Sequence, residues 1–341
     1  MKLKIIFLIS LLILTGCSTQ DLVYDGLVLF APQSGQTIYL IDSEENIIHS
    51  WDTGKDSPYG QLLNDGTLLY IATKKAIPTD KVNEGVIREV DWENNILWEY
   101  TDLNIHHDFA KLPNGNILAI QWEIMSEENL ERVQLKDPPE VLWSDKIIEI
   151  DYITKEIVWE LSLQDELNIE DYKIKSDENN IEWTHTNAVE YLEEGNPFNG
   201  KESILISSRT LNHIFIIDKE SKEVVWEYNE GLLRQHNPNL LTNGNILVFN
   251  NGLKASQVLE INPTNNQVVW TYESADFFSH YISSAQRLSN GNTLICEGSS
   301  GTIFEVTNTK EIVWEYNANS QSVFRAYKYS ADYTDWPFEI S

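Results

Sequence analysis

Basic residues are scarce in this 341-residue chain. Twenty-four Lys and Arg stand against 53 Asp and Glu, a formal charge of -29. That deficit excludes a nucleic-acid partner, because phosphate binding needs a basic face. It also excludes an anionic lipid surface as partner of the globular body. Cysteine is nearly missing: Cys17 and Cys296 allow one disulfide at most. No glycine pattern of the P-loop or dinucleotide-binding kind occurs, so no nucleotide cradle is expected. No segment carries a helical period of useful length. What the chain does have is apolar and aromatic. Hydrophobic residues make up 42%, which rules out intrinsic disorder, and eleven Trp and fifteen Tyr point to a repeated packing role.

The N-terminus reads MKLKIIFLISLLILTGC. Lys2 and Lys4 form a short positive region, and the apolar run Ile5–Leu14 is too short for a permanent membrane span. The run ends in Leu14-Thr15-Gly16-Cys17, which resembles a bacterial lipobox. The expectation is a signal peptide over 1–16, an acylated Cys17, a tether over 17–26 and one domain over 27–341. Losing two lysines takes the mature charge to -31. Acyl chains would supply the membrane affinity that the acidic surface cannot. The protein would then be exported and anchored to the cell envelope. With Cys17 acylated, Cys296 is left without a disulfide partner.

Internal repetition decides the fold. Six copies of one pattern run TIYLIDSEENIIHSWDT, VIREVDWENNILWEYTD, KIIEIDYITKEIVWELS, HIFIIDKESKEVVWEYN, QVLEINPTNNQVVWTYE and TIFEVTNTKEIVWEYNA. Their tryptophans are Trp51, Trp98, Trp159, Trp226, Trp270 and Trp314, and the last two intervals are both 44 residues. Before most copies stands a second hairpin with a tight glycine turn, as in FAKLPNGNILAI and PNLLTNGNILVF. Two hairpins in about 44 residues give the period and strand count of a β-propeller blade. The predicted fold is all-β, a six-bladed propeller with four antiparallel strands per blade. The first blade is short of a strand, and SVFRAYKYS (322–330) is the spare one that closes the ring.

The glycine turns provide a ruler for the channel. Counting back seven residues from the one before each turn glycine reaches His107, Asn187 and His236 in three successive blades, with Pro58 and Ser283 in two others. His185 shares the strand face of Asn187. The returning strand ILISSR brings Arg209 to the same rim. His107, His185, Asn187, Arg209 and His236 should therefore meet at one mouth of the channel. His106 and His107 alternate, and the ruler favours His107 as the inward one. His280 is a further candidate on an entrance loop, and Arg325 on the closing strand is either channel-facing or structural. His49 and His213 read as structural.

Three histidines suit a metal, but the nearby arginine would oppose a dication and no acidic ligand stands at the ruler positions. An arginine fork that holds oxyanions, a neutral histidine nucleophile and a second histidine as acid and base suit transfer of an anionic group without metal or nucleotide cofactor. The segments IHHDFAKLPNGNIL, WTHTNAVEYL, ILISSRTLNHIFIID and RQHNPNLLTNGNILVFNNG resemble the bacterial aryl-sulfate sulfotransferase family over essentially the whole mature chain. That resemblance implies sulfuryl transfer between aryl sulfates and phenols, with His236 as the sulfated nucleophile. It also implies sulfate binding by His185, Asn187 and Arg209, and acid–base assistance from His107. The copies IDYITKEIVWE and IDKESKEVVWE also resemble quinoprotein-type propeller repeats, which would imply a non-catalytic lipoprotein scaffold, usually of eight blades. A ligand-binding propeller without turnover is the third reading.

Overall fold

The computed structural model describes residues 22–337, apart from 34, 56, 58, 74–84, 134, 136–138, 175–180 and 320. The leader, Cys17 and Pro58 fall outside the described residues.

The strands form six separate four-stranded antiparallel sheets. Blade 1 holds β1 (Gly26–Pro32), β2 (Thr37–Ile41) and β3 (Ile47–Asp52), and blade 2 holds β4 (Tyr59–Leu62), β5 (Leu68–Thr73), β6 (Gly85–Val90) and β7 (Ile96–Thr101). Blade 3 holds β8 (Ile105–Lys111), β9 (Ile117–Ile124), β10 (Trp143–Ile150) and β11 (Ile157–Ser162). Blade 4 holds β12 (Thr186–Leu192), β13 (Ser203–Ser208), β14 (His213–Asp218) and β15 (Val224–Tyr228). Blade 5 holds β16 (His236–Leu240), β17 (Ile246–Asn250), β18 (Gln257–Asn262) and β19 (Gln267–Tyr272). Blade 6 holds β20 (Ser284–Arg287), β21 (Thr293–Glu297), β22 (Thr302–Val306) and β23 (Ile312–Asn317). The last strand, β24 (Val323–Ser330), pairs with β1 and becomes the innermost strand of blade 1. The ring is thus a six-bladed propeller closed by its C-terminal strand, as the repeats predict. Six blades depart from the usual eight of the quinoprotein-type reading.

The six tryptophans are the outer fastenings. Each stands on the outermost strand of its blade and sends its indole N–H to the outer turn of the next blade. Trp51 donates to Asp91 O, Trp98 to Tyr152 O and Trp159 to Lys219 O. Trp226 donates to Asn266 Oδ1, Trp270 to Asn308 O, and Trp314 closes the circle on Ser43 O. Tryptophan suits this place because it buries a large apolar surface and still has one polar end to satisfy. Each bond contributes about 1 kcal/mol.

Further in, ion pairs stitch adjacent blades. Glu89, Glu149, Glu260 and Glu305 occupy one repeat position and meet Lys111, Lys219, Arg287 and Lys328 of the following blade at 2.8, 2.7, 2.8 and 2.8 Å. Three of these carboxylates also accept hydrogen bonds from asparagines of the glycine turns: Glu149 from Asn114 and Asn116, Glu260 from Asn243 and Asn245, Glu305 from Asn292. Four of the scarce cations thus stand at blade boundaries, where a lone buried carboxylate would be costly. Cys296 is a buried free thiol on β21.

Candidate active site

Three inner strands begin with a β-bulge at the same rim. The register slips between His106 and Phe109, between Thr186 and Ala188, and between His236 and Asn239. His107 and Asn237 at these bulges, and His185 just before the bulge of β12, take positive φ, at 57°, 48° and 45°. Left-handed backbone is uncommon for non-glycine residues, though His and Asn accept it best. Bulges of this kind re-aim side chains beside functional sites.

His236 is held by its Nδ1. That nitrogen lies 2.7 Å from Asn251 Oδ1 and 2.9 Å from Arg234 O. Both partners accept, because Asn251 Nδ2 is occupied in donating to Ser279 O and Ile282 O. Nδ1 therefore carries the proton and Nε2 keeps its lone pair. Burial, joined by the charges of Arg209, His185 and Arg325, outweighs the Asn251 bond and pulls the His236 pKa down to about 3. The imidazole is neutral at pH 7 and poorly hydrated, the condition of a usable nucleophile.

The other histidines surround it. The His107 and His185 rings lie 4.8 Å apart. Burial, then His185, His106, His236 and Arg325, hold His107 well below the ordinary histidine range. His185 Nδ1 pairs with Glu182 Oε2. The Arg209 backbone N–H donates to His185 O at 3.1 Å, which ties the β12 entrance to the end of β13. His185 and Arg209 are partly exposed, whereas His107 and His236 keep only 5% and 3% of their surface. Arg209 is thus the more exposed group and His236 the more deeply buried one.

Asn187 is wholly buried. It donates from Nδ2 to Gln235 O at 2.9 Å, and its Oδ1 has no hydrogen-bond partner among the described residues. Its own carbonyl accepts from Arg325 Nη2 at 2.7 Å. Arg325 also donates from Nη1 to Asp108 Oδ2 at 2.8 Å, and Asp108 accepts further bonds from the Tyr59 hydroxyl and the Val189 N–H. This Asp108–Arg325–Tyr59 group forms a septum across the channel. Beyond it lies a cavity of about 940 Å³ at the opposite mouth, lined among others by Gln61, Glu190, Gln286 and Tyr327. Burial, with Asp108 nearby, raises the Glu190 carboxyl to about 8 despite a bond from Leu240 N–H.

The structure thus brings His107, His185, Asn187, Arg209 and His236 to one mouth. The sequence-model description Arylsulfotransferase (ASST) matches residues 60–319. The chain belongs to the arylsulfotransferase family. Family membership supports aryl sulfotransferase activity in general. No curated protein matches the chain. Among solved structures, a protein of unknown function from Bacteroides caccae is 12% identical, with a TM-score of 0.58 over 89% of this chain and 98% of that one. A streptogramin B lyase is also 12% identical, with a TM-score of 0.51 over 86% of this chain and 82% of that one. At such identity these likenesses speak for the propeller fold alone.

Other candidates of this arylsulfotransferase-family chain fall elsewhere. His280, exposed on a loop, lies tilted against Tyr281 with ring centroids 4.4 Å apart. His49 packs edge-on between Trp51 and Trp92, and His213 Nδ1 bonds to Leu211 O. His106 is fully buried and stacked on Trp122, with ring centroids 3.7 Å apart. Sequence reasoning missed Asn251, Asp108, Asp145, Glu182 and Gln235. Only Asn251, in the FNN that ends β17, had a signal: it aligns with Arg209 at the end of β13. No group of three or more His, Cys, Asp or Glu among the described residues is arranged to hold a metal ion.

Proposed function

We propose that this protein transfers a sulfuryl group from an aryl sulfate to a phenol through a sulfo-histidine, in two half-reactions at one site and without nucleotide or metal. The observation that carries the reading is the fixed tautomer of His236: an imidazole locked at Nδ1, neutral at pH 7, with its Nε2 lone pair kept and the Arg209 charge near enough to act on it. In the first half-reaction the Nε2 lone pair forms the N–S bond as the S–O(aryl) bond breaks. The bonding pair leaves on the phenolic oxygen as a phenolate. In the second half-reaction a different phenol gives its proton to neutral His107 as its oxygen attacks sulfur, the N–S pair goes back to His236, and the proton passes from His107 through solvent to the first phenolate. Arg209, with His185 and Asn187, holds the sulfuryl oxygens where negative charge gathers. Phenols suit both roles because a phenolate is a good leaving group.

Cys17 is proposed as a lipid anchor to the cell envelope. The described chain starts at Leu22, whose carbonyl accepts from Asn292 at the glycine-turn face, opposite the histidine mouth. An anchor on that side leaves the site unobstructed.

The test is the mature protein incubated with 4-nitrophenyl sulfate, with and without phenol. Release of nitrophenol that depends on phenol, lost at least about 10³-fold in His236→Ala, is the expected outcome. Release that ignores phenol, or that survives the substitution, overturns the reading.

A further inference from the structure

The cavity behind the septum has no part in the chemistry above. Its volume of about 940 Å³ is ample for a small molecule, and all six inner strands, β4, β8, β12, β16, β20 and β24, contribute to its wall. It lies at the glycine-turn mouth, with Asp65 and Gly115 of those turns among its lining.

Its charges are unevenly matched. The charged side chains that line it are Asp65, Asp108, Lys111, Glu190, Glu193 and Arg325. Both cations are engaged: Arg325 Nη1 meets Asp108 Oδ2 at 2.8 Å, and Lys111 Nζ meets Glu89 Oε2 at 2.8 Å. Glu190 has no ion pair among the described residues, and its Oε2 accepts from the Leu240 N–H at 3.0 Å. Burial, reinforced by Asp108 and only partly offset by that bond, holds its carboxyl up at about 8. A carboxyl in that state lacks a cation beside it.

The facing wall is aromatic. Tyr327, Tyr329 and Tyr333 line the cavity on the side of the closing strand and the tail that follows it. The rings of Tyr329 and Tyr333 lie 4.7 Å apart. Their hydroxyls are tied to the β4 backbone: Tyr329 accepts from the Leu62 N–H at 3.0 Å, and Tyr333 donates to Leu62 O at 2.9 Å. With those hydroxyls committed, what the two residues offer a ligand is ring surface. The same chain already sets cations over tyrosine rings, Lys111 Nζ over Tyr152 at 3.7 Å and the Arg325 guanidinium over Tyr59 at 4.9 Å.

We propose that this cavity binds an organic ammonium ion, with its charge at Glu190 and its body against the tyrosines. An anion would find both lining cations already paired. A body with a formal charge of -29 gathers cations at such a mouth. The site stands apart from the sulfotransfer reading, because the septum divides the two. Protons must balance as the ligand arrives. At pH 7 a carboxyl that titrates at about 8 is mostly protonated. An ammonium beside it favours the anion, so the Glu190 proton passes to solvent on binding. Affinity therefore rises with pH and levels off above 8. Burial holds Tyr327, Tyr329 and Tyr333 above the ordinary tyrosine range, so they keep their protons throughout.

The probe is benzyltrimethylammonium, whose charge is the same at every pH, titrated calorimetrically into the protein at about 0.15 M salt. Measurements in two buffers of different ionisation heat count the protons released. We expect saturable one-to-one binding, release of close to one proton at pH 7, and an affinity about tenfold higher at pH 9. Glu190→Gln should bind at least about tenfold more weakly at pH 9, with no dependence on pH. His236→Ala should bind as the unaltered protein does, which places the site away from the histidine mouth. Absence of saturable binding, binding without proton release, or equal affinity for uncharged benzyl alcohol overturns the proposal. The proton count needs only the unaltered protein, so it decides the matter even if Glu190→Gln fails to fold.

Discussion

One asparagine decides what His236 can do. Asn251 receives the Nδ1 hydrogen with Oδ1 and, with Nδ2, fastens Ser279 O and Ile282 O at the entrance to blade 6. An imidazole with nothing to distinguish its nitrogens would divide its time between two tautomers, and only one of them has the Nε2 lone pair that the proposed reaction requires. Asn251→Leu removes the acceptor and strands two carbonyls. The expected result is a kcat lower by about tenfold or more, and a stability loss of about 1–3 kcal/mol by denaturant titration. Unchanged kcat in that variant would show that Arg234 O alone sets the tautomer. Little of this could be read in the sequence. Ring geometry brought His107, Asn187 and His236 to the ruler positions, because a glycine turn and a strand of constant length fix where a blade begins. Asp145 escaped, since it stands on the third strand of blade 3 behind the stretch 123–142, whose length follows no repeat. The same is true of Trp122, an apolar-strand residue whose stacking on His106 no spacing rule foretells.

At the scale of elements, β24 does two tasks. It is the inner strand of blade 1, paired with β1 from Gly26↔Ser330 to Pro32↔Val323. It also carries Arg325 to the septum and Lys328 to Glu305, an ion pair with no exposed surface. Removal of everything after residue 321 therefore deletes a strand, uncovers the edge of β1, leaves Asp108 and Glu305 as uncompensated buried anions, and frees the Asn187 backbone. The truncated chain should lose its cooperative unfolding transition or aggregate. Arg325→Met is the milder probe. It keeps the strand while removing the cation, and an intact sheet signal with strongly reduced kcat and a melting temperature several degrees lower is expected. A truncated chain that melted like the whole one would refute closure by β24. The spare strand was legible in the sequence because blade 1 had only three of its own. What its arginine touches was not, since Asp108 and Asn187 come from blades 3 and 4 and meet β24 only across the channel.

For the whole molecule, charge sets the terms. A body with a formal charge of -29 repels an anion such as an aryl sulfate, and Lys111, Lys219, Arg287 and Lys328 are engaged with carboxylates between blades. Arg209 at the rim gives the anion a local reason to bind against a repulsive global field. Screening then helps. Raising ionic strength from about 0.01 M to 0.15 M shortens the Debye length from ~30 Å to ~8 Å, shorter than a propeller's width but longer than one contact. The expected outcome is a KM for aryl sulfates that falls by roughly twofold or more as salt is raised, with kcat constant. A KM that rises with salt would mean that the local cations dominate the approach. The propeller itself was the most legible level. Six tryptophans at one repeat position form one ring of indole bonds, and a closed circle leaves no freedom in how many units it contains.

The closing strand also imposes a delay. Val28 and Lys328 are partners in the sheet although 300 residues separate them. At a synthesis rate of about 5–20 residues per second, the second arrives some tens of seconds after the first. Throughout that interval β1 has an empty flank, and once made, Asp108 has no arginine and the carbonyl of Asn187 has no clasp. Catalytic competence therefore arrives last, in a single step, with the final strand.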